Sequence, residues 1–251
     1  MEHQVFTDYS RYLGRPMTWE VWGSKGKICI AFAPQNGTWH DFSDFGMVEE
    51  LRPWIEAGKL MVVCAASSDE ESWSARGGDG RTRSLHQESY YNYIVRELVP
   101  RARALNPEAP AKMMVTGCSM GAAHSGIFAL RRPDLFDTCI ALSGFYKASF
   151  FFDDYMDDLV FVNSPIDFLP KLPKDDPRRA LYAESKLYFC VGQGAYEDGL
   201  LESTRQLGEV LKAEGIEAFV DVWGWDVNHD WPWWKKQIVY FMGMAFGPAE
   251  A

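Results

Sequence analysis

The sequence predicts an α/β fold in which a doubly wound, mostly parallel sheet carries helices on both faces. Two observations lead to this prediction. Short, continuously apolar runs alternate along the chain with longer runs of helical length. The apolar runs are typical of strands that are covered on both faces, as the strands of a parallel sheet are. Ligands of such sheets bind at the carboxyl ends of the strands, so functional side chains are expected along that edge.

Seven runs are predicted to be strands, at residues 18–23, 27–33, 60–66, 113–118, 136–142, 186–191 and 217–223. The first of these runs alternates apolar and polar residues, which predicts a strand at the edge of the sheet. Helices are predicted at residues 44–57, 88–105, 120–131, 200–214 and 231–246. Pro100 should kink or end the second helix, because proline lacks an N–H and its ring clashes with the preceding turn.

The chain is expected to form a single domain over residues 1–251, since that length suits one large α/β domain. The segment 146–185 is rich in phenylalanine, aspartate and proline and breaks the alternation of strands and helices. Such a segment is typical of an insertion that borders an active site. Its aspartates at 153–158 lack the glycine and the ligand spacing of a calcium loop, so a solvated acidic face is expected.

Composition argues against several kinds of partner. A formal net charge of −10 makes the phosphate backbone of a nucleic acid an unfavourable ligand. No apolar run reaches the length that spans a membrane, and the N-terminus lacks the features of a signal peptide, so a cytoplasmic location is expected. The five cysteines, without a C-x-x-C spacing, are expected to be buried free thiols. Neither a metal ion nor an organic cofactor is predicted.

The strongest chemical signal lies where strand 113–118 meets helix 120–131. There Gly117, Ser119 and Gly121 form a Gly-x-Ser-x-Gly pattern. A serine at so sharp a turn has strained backbone angles, and the flanking glycines relieve crowding with the neighbouring backbone. The bare pattern arises by chance in roughly one such chain in ten, but the strand before it and the helix after it favour a nucleophile elbow. Ser119 is therefore the predicted nucleophile.

A serine nucleophile needs a histidine base, and His229 is the best placed of the five histidines. It follows strand 217–223 at the carboxyl edge of the sheet and precedes the last helix. The other histidines are His3, His40, His86 and His124. The last of these lies on the helix of Ser119, too close in sequence for its ring to reach the hydroxyl comfortably, and is expected to be packed or half-buried.

Three segments resemble one branch of the α/β-hydrolases. They are Gly117-Cys118-Ser119-Met120-Gly121, Gly192-Gln193-Gly194-Ala195-Tyr196-Glu197-Asp198 and Asn228-His229-Asp230-Trp231-Pro232-Trp233-Trp234. The chain resembles the esterase family that includes esterase D (S-formylglutathione hydrolase), feruloyl esterases and the mycobacterial mycolyltransferases. The resemblance covers about residues 17–246 and implies the α/β-hydrolase fold. It departs at Cys118 and over 146–177, where no family motif can be placed, so it does not specify the ester.

The resemblance also implies an acid in the turn after strand 186–191, where it would orient His229. Three carboxylates lie there: Glu197, Asp198 and Glu202. Asp198 falls where the esterase D and feruloyl esterase relatives carry their aspartate, so it is the predicted acid. Glu202 is the next candidate, because the mycolyltransferase relatives carry a glutamate at a matching place in the helix. Glu197 is the third.

The tetrahedral intermediate of acyl transfer needs two N–H donors for its oxyanion. The residue after the nucleophile, Met120, is expected to supply one. The loop after strand 27–33 is expected to supply the other. Pro34 has no N–H, so Gln35 is the predicted donor and Asn36 the next candidate.

These residues together predict a serine carboxylic-ester hydrolase with a Ser119, Asp198 and His229 triad and a small-molecule ester as its substrate. Two alternatives stay open. The same triad can transfer the acyl group to an alcohol instead of water, and a related fold can serve as a binding module without catalysis. The sequence does not distinguish hydrolase from transferase, and it does not determine the oligomeric state.

Overall fold

The computed structural model describes residues 1–248 and contains one eight-stranded sheet. Its strands are β1 (His3–Ser10), β2 (Arg15–Trp22), β3 (Lys27–Phe32), β4 (Leu60–Ala65), β5 (Met113–Cys118), β6 (Phe136–Leu142), β7 (Lys186–Val191) and β8 (Phe219–Val222). They lie in the order β1-β2-β4-β3-β5-β6-β7-β8. β2 runs antiparallel to β1 and β4, and the pairs from β4 to β8 are parallel. The predicted, mostly parallel sheet is confirmed.

Helices cover both faces of this sheet. They are α1 (Asp41–Asp44), α2 (Met47–Glu56), α3 (Gly80–Tyr93), α4 (Val99–Leu105), α5 (Met120–Arg131), α6 (Ser149–Phe152), α7 (Asp158–Val162), α8 (Pro165–Phe168), α9 (Arg178–Tyr182), α10 (Asp198–Ala213) and α11 (Trp231–Phe246). Apolar residues of α2 and α11 form one core cluster with the sheet. Those of α3, α4, α5 and α10 pack in a second cluster on the opposite face.

The edge of the sheet differs from the sequence-based expectation. Residues 18–23 were predicted to lie at the edge, but β2 is paired on both sides and β1 is the outer strand. Most side chains of β1 are exposed, so this strand has no apolar run that would reveal it in the sequence. Its Phe6 stacks on Trp19 of β2 at 4.5 Å between ring centroids, which anchors the outer strand.

Pro100 does not end the helix that contains it. α3 continues into α4 through a π-helical stretch, Ile94–Leu98, and Pro100 lies in the first turn of α4. A wider turn just before a proline removes the need for its missing N–H and relieves the clash of its ring with the preceding turn. The helix therefore does not end at Pro100, as one of the two expected outcomes had it, but changes its type locally before the proline.

Three expectations from composition can be compared with the described residues. All five cysteines are buried and unpaired, as predicted. Within residues 1–248, no helix is long and apolar enough to cross a membrane. The same residues contain no group of three or more His, Cys, Asp or Glu side chains that could hold a metal ion.

The segment between β6 and β7 folds into the short helices α6 to α9. Its Phe145, Phe151 and Phe152 form an apolar cluster with Trp73 and with Met120, the residue that follows Ser119. This part of the segment therefore packs directly beside the turn that carries the predicted nucleophile.

Asp157 attaches this segment to α3. Its carboxylate accepts hydrogen bonds from the Val160 N–H, Ser84, Arg81 and Tyr155 at 2.7 to 3.0 Å. Burial tends to raise the pKa of this carboxyl, but these four donors outweigh it and lower the pKa to about 2. The expected solvated acidic face is thus wrong for Asp157, which is the N-cap of α7 and a structural anion.

We expect the substitution Asp157→Asn to destabilise the protein by about 1–3 kcal/mol at pH 7, because a charged acceptor of four hydrogen bonds is lost. The folded-state pKa lies below the ordinary value of 3.8, so the carboxylate stabilises the fold above about pH 4 and this stabilisation is lost as pH falls toward 2. Urea unfolding of the wild type and the variant from pH 7 to pH 2 measures the difference in their free energies of unfolding. This difference should shrink as the pH falls from about 4 to about 2.

The exposed neighbour Asp158 provides the matched control, since Asp158→Asn makes the same chemical change without this network. Its effect should stay below about 1 kcal/mol. Equal losses in the two variants would contradict the role of Asp157.

Candidate active site

Ser119 lies at the sharp turn between β5 and α5. Its φ of 59° and ψ of −122° are in a region that residues other than glycine rarely adopt. A β-carbon on Gly117 would lie 2.5 Å from the Gly121 carbonyl group, and one on Gly121 would lie 2.3 Å from the Phe32 carbonyl oxygen. Glycine is therefore required at both positions by close backbone contacts, and the turn has the geometry of a nucleophile elbow.

Cys118 precedes Ser119 but points away from the site. Its side chain is fully buried in the apolar cluster under α2 and α11, whereas Ser119 is only half-buried. Burial raises the pKa of the Cys118 thiol well above its ordinary value. The thiol therefore stays protonated, which makes it a poor nucleophile.

His229 contacts the serine hydroxyl. Its Nε2 lies 2.8 Å from Ser119 Oγ, a normal hydrogen-bond distance, although the two residues are 110 positions apart in the chain. The side chain is 17% exposed, so it can be reached from solvent while packed on most sides. The structure thus brings together two of the three side chains that were predicted to form the triad.

The third partner is Glu197 and not Asp198. Nδ1 of His229 lies 3.3 Å from Oε2 of Glu197, whose side chain is 1% exposed. Asp198 is exposed as the first residue of α10, and Glu202 is exposed one turn later. The prediction that Asp198 lies beside His229 is therefore wrong, and so is the placement of Glu202 ahead of Glu197.

The helical phase of α10 explains this correction. α10 begins at Asp198, two residues earlier than predicted, and Glu197 is its N-cap. Glu197 precedes the buried Leu201 by four residues and so continues the buried face of the helix. Asp198 instead continues the exposed face, which includes Glu202, Arg205 and Glu209. Extending the apolar stripe of the helix by one turn would have identified Glu197 from the sequence.

A hydrogen-bond network holds the buried carboxylate of Glu197. The Ser143 hydroxyl donates to Oε1 at 2.6 Å, and the Gly192 N–H lies 3.4 Å from the same oxygen. The Trp234 indole N–H donates to Ser143 Oγ at 3.1 Å, and its ring packs edge-on against His229 at 4.8 Å between centroids. These contacts form a closed ring around the carboxylate, so its position relative to the imidazole is well defined.

The loops that carry the acid and the histidine contact each other closely. A β-carbon on Gly192 would lie 2.2 Å from the Val227 carbonyl oxygen. Ala195 donates its N–H to Asn228 Oδ1 at 2.8 Å and accepts the N–H of His229 at 3.0 Å. The glycine-rich turn after β7 therefore fixes the main chain on either side of His229.

The two predicted oxyanion donors lie in segments that meet at the elbow. Met120 is the first residue of α5, so its N–H has no acceptor within the helix. Gly121 packs against the carbonyl oxygens of Phe32 and Ala33 at the end of β3. This contact brings the loop that follows, with Gln35, alongside the start of α5.

The N–H of Asn36, the other candidate donor in that loop, already donates a hydrogen bond to a side chain. The φ of Asn36 is 56°, and its N–H donates to Oδ2 of Asp69 at 3.3 Å. The side-chain amide of Gln35 donates to Ser74 Oγ at 2.9 Å. The main-chain N–H of Gln35 is thus the remaining candidate from the loop.

Several solved structures share the overall fold. A ferulic acid esterase has a TM-score of 0.74 and 15% sequence identity, with 97% of this chain and 96% of that chain covered. An S-formylglutathione hydrolase from Staphylococcus aureus has a TM-score of 0.68 and 18% identity, with 94% and 93% covered. A fluorophosphonate-binding serine hydrolase from the same organism has a TM-score of 0.65 and 19% identity, with 94% and 95% covered. At such identities the likeness concerns the fold.

The family is identified by a separate comparison. No curated protein sequence matches this chain. The model of the family described as "Putative esterase" matches residues 55–242, which is more than half of the 251 residues. The matched range contains Ser119, Glu197 and His229. The chain therefore belongs to this esterase family and is an ester hydrolase.

Proposed function

We propose that Ser119, His229 and Glu197 form a catalytic triad that hydrolyses a carboxylic ester through an acyl-enzyme intermediate. The observation that carries this proposal is the 2.8 Å contact between Ser119 Oγ and His229 Nε2 at a strained elbow. The opposite ring nitrogen faces a buried carboxylate at 3.3 Å. This arrangement of nucleophile, base and orienting acid is the one that acyl transfer by serine requires.

The first half-reaction acylates the serine. Ser119 Oγ attacks the ester carbonyl carbon while Nε2 of His229 takes the hydroxyl proton. The tetrahedral intermediate then collapses, the bond to the alcohol oxygen breaks, and His229 returns the proton to the leaving alcohol. Water next attacks the acyl-enzyme with the same base, which releases the carboxylic acid and restores Ser119.

Glu197 orients the histidine in both steps. Its carboxylate accepts a hydrogen bond from the Nδ1–H of His229, so that Nε2 presents its lone pair to Ser119, and it stabilises the imidazolium that forms. Because Ser143 and the Gly192 N–H hold the other carboxylate oxygen, little reorganisation is needed when the imidazole becomes charged.

The Met120 and Gln35 N–H groups are proposed to bind the oxyanion of the tetrahedral intermediate. The start of α5 favours a developing negative charge, because the N–H groups of its first turn point outward and the helix dipole is positive there. Gln35 approaches from the loop after β3, so the oxyanion would be held between this loop and the start of α5.

The partner is proposed to be a small-molecule ester, with water as the acyl acceptor. Rates measured over a panel of esters with acyl chains of different length would define the acyl group. The same reactions with added alcohols would reveal transfer, since a transferase forms a new ester where a hydrolase releases the free acid.

The substitution Ser119→Ala should reduce kcat by about four to six orders of magnitude, because the nucleophile is removed from a triad that acts as a unit. Circular dichroism and thermal unfolding should show that the variant stays folded. A fluorophosphonate probe should label Ser119 in the wild type, as mapped by mass spectrometry, and should not label the variant. Cys118→Ala is the adjacent control and should keep most of its activity. A folded Ser119→Ala protein with near-normal turnover would refute the proposed function.

The acid is tested by three amide substitutions compared by kcat. Glu197→Gln should lose about three to four orders of magnitude, since an amide favours the wrong imidazole tautomer. Asp198→Asn and Glu202→Gln change neighbouring exposed carboxylates and should lose less than about threefold. A large loss in Asp198→Asn together with a small loss in Glu197→Gln would exclude Glu197 as the acid.

The loop donor can be removed without touching the triad. Gln35→Pro deletes the main-chain N–H and should lower kcat by about 10²- to 10³-fold with a much smaller change in KM, because the oxyanion forms only after attack. Gln35→Ala keeps the main-chain N–H but removes the side-chain bond to Ser74. The comparison therefore separates the contribution of the N–H from that of the side chain. Similar kcat values for the two variants would mean that the Gln35 N–H is not a donor.

A further inference from the structure

A second buried pair of ionisable groups, Asp69 and His124, lies beside the triad and has no part in the proton transfers. Their side chains are 0% and 1% exposed, and Nε2 of His124 lies 2.9 Å from Oδ1 of Asp69. A carboxylate that is completely buried is costly unless it is well hydrogen-bonded. Hydrophobic packing alone therefore does not explain why this pair is buried.

Asp69 also holds the loop that carries the proposed oxyanion donor. Its second oxygen, Oδ2, accepts the N–H of Asn36 at 3.3 Å, and its main-chain oxygen accepts the N–H of Ser74 at 2.9 Å. Ser74 in turn accepts the side-chain amide of Gln35 at 2.9 Å. The segment that begins at Asp69 therefore contacts both residues that follow Pro34.

His124 connects this segment to the elbow. It lies on α5, the helix that begins immediately after Ser119, and it packs against Phe32 and Tyr90 with ring centroids 5.6 and 5.1 Å away. Phe32 is the last residue of β3, directly before the loop. Asp69 is bonded to His124 through Oδ1 and to Asn36 through Oδ2, and it thus joins the helix that bears one oxyanion donor to the loop that bears the other.

The loop turns at Asn36, which is in a left-handed conformation with a φ of 56°. Asparagine tolerates this conformation in turns, and the hydrogen bond to Asp69 is what holds the turn against its surroundings. The bond from Asn36 N–H to Asp69 orients the peptide unit between Gln35 and Asn36, and so limits how the Gln35 N–H can turn. Loss of the bond would leave the donor misdirected while the triad stayed intact.

We propose that Asp69 and His124 are positioning residues that align the Gln35 N–H with the Met120 N–H for oxyanion binding. This inference rests on the proposed function, and it concerns the oxyanion side of the site and not the proton-transfer side. Asp69 acts through the main chain of the loop, and His124 acts by fixing Asp69 relative to α5. Neither side chain contacts the reacting atoms.

The test is a double-substitution cycle of kcat with Asp69→Ala and Gln35→Pro. In the wild-type background, Asp69→Ala should lower kcat about 10- to 100-fold and change KM less than about threefold. In the Gln35→Pro background the same substitution should lower kcat less than about threefold, because the donor that it positions is already absent. A defect of general packing would instead reduce kcat equally in both backgrounds, and that result would overturn the proposal.

His124 supplies a second pair of variants that do not remove the buried carboxylate. The amide nitrogen of glutamine can reach the place of Nε2, so His124→Gln can keep a donor to Asp69, whereas His124→Leu cannot. His124→Leu should lose at least about tenfold more kcat than His124→Gln, and the difference should disappear when both are combined with Gln35→Pro. Equal kcat values for the Gln and Leu variants would overturn the proposal. If thermal denaturation shows that Asp69→Ala is unfolded, the comparison of His124→Gln with His124→Leu tests the proposal by itself.

The outcomes also separate this proposal from the proposed function. If Ser119→Ala keeps its turnover, the triad itself is refuted and the positioning role with it. If Ser119→Ala is inactive while the Asp69 and His124 variants retain full kcat, only the positioning role is refuted.

Discussion

The structure of the site depends on the strained main chain at Ser119. A serine with a φ of 59° is stable only where its surroundings enforce the conformation, and such strain costs about 1–3 kcal/mol. Here the enforcement comes from backbone packed against backbone, since Gly117, Gly121 and the end of β3 approach too closely for any side chain. The same contacts bring β3, β5 and α5 together at the carboxyl edge of the sheet. The loops after β3, β7 and β8 can therefore meet around one hydroxyl group.

Two buried carboxylates flank this turn, and each connects several elements of the fold. Glu197 receives hydrogen bonds from the end of β6, the turn after β7 and the histidine loop. Asp69 receives them from α5 and the loop after β3. Since a buried charge is unfavourable unless its donors are correctly placed, each carboxylate restricts its neighbours to one arrangement. In the proposed mechanism one carboxylate orients the base and the other orients the oxyanion donor.

Local patterns predicted most of the architecture because buried parallel strands must be apolar on both faces. The strands from β3 to β7 were found in this way, and β8, α5 and α11 were also predicted, with small errors at their ends. β1 was missed because most of its side chains are exposed, and its pairing with β2 is a contact between segments that no local pattern reveals. The π-helical stretch before Pro100 was missed because helix propensity indicates where a helix is disfavoured but not how its turns can widen.

The sequence by itself determined the proposed nucleophile, the proposed base and the sheet that carries them. A Gly-x-Ser-x-Gly turn and a histidine after a late strand are local features, and the carboxyl edge of a parallel sheet brings such features together. The tertiary structure decided between Glu197 and Asp198, because it shows that His229 lies on the buried side of α10. Neighbouring residues of a helix differ by about 100° in direction, so Glu197 is buried with Leu201 whereas Asp198 is exposed with Glu202. Tertiary structure likewise created the contact between Asp69 and His124, because residues 55 positions apart meet only when β4 and α5 pack against β3.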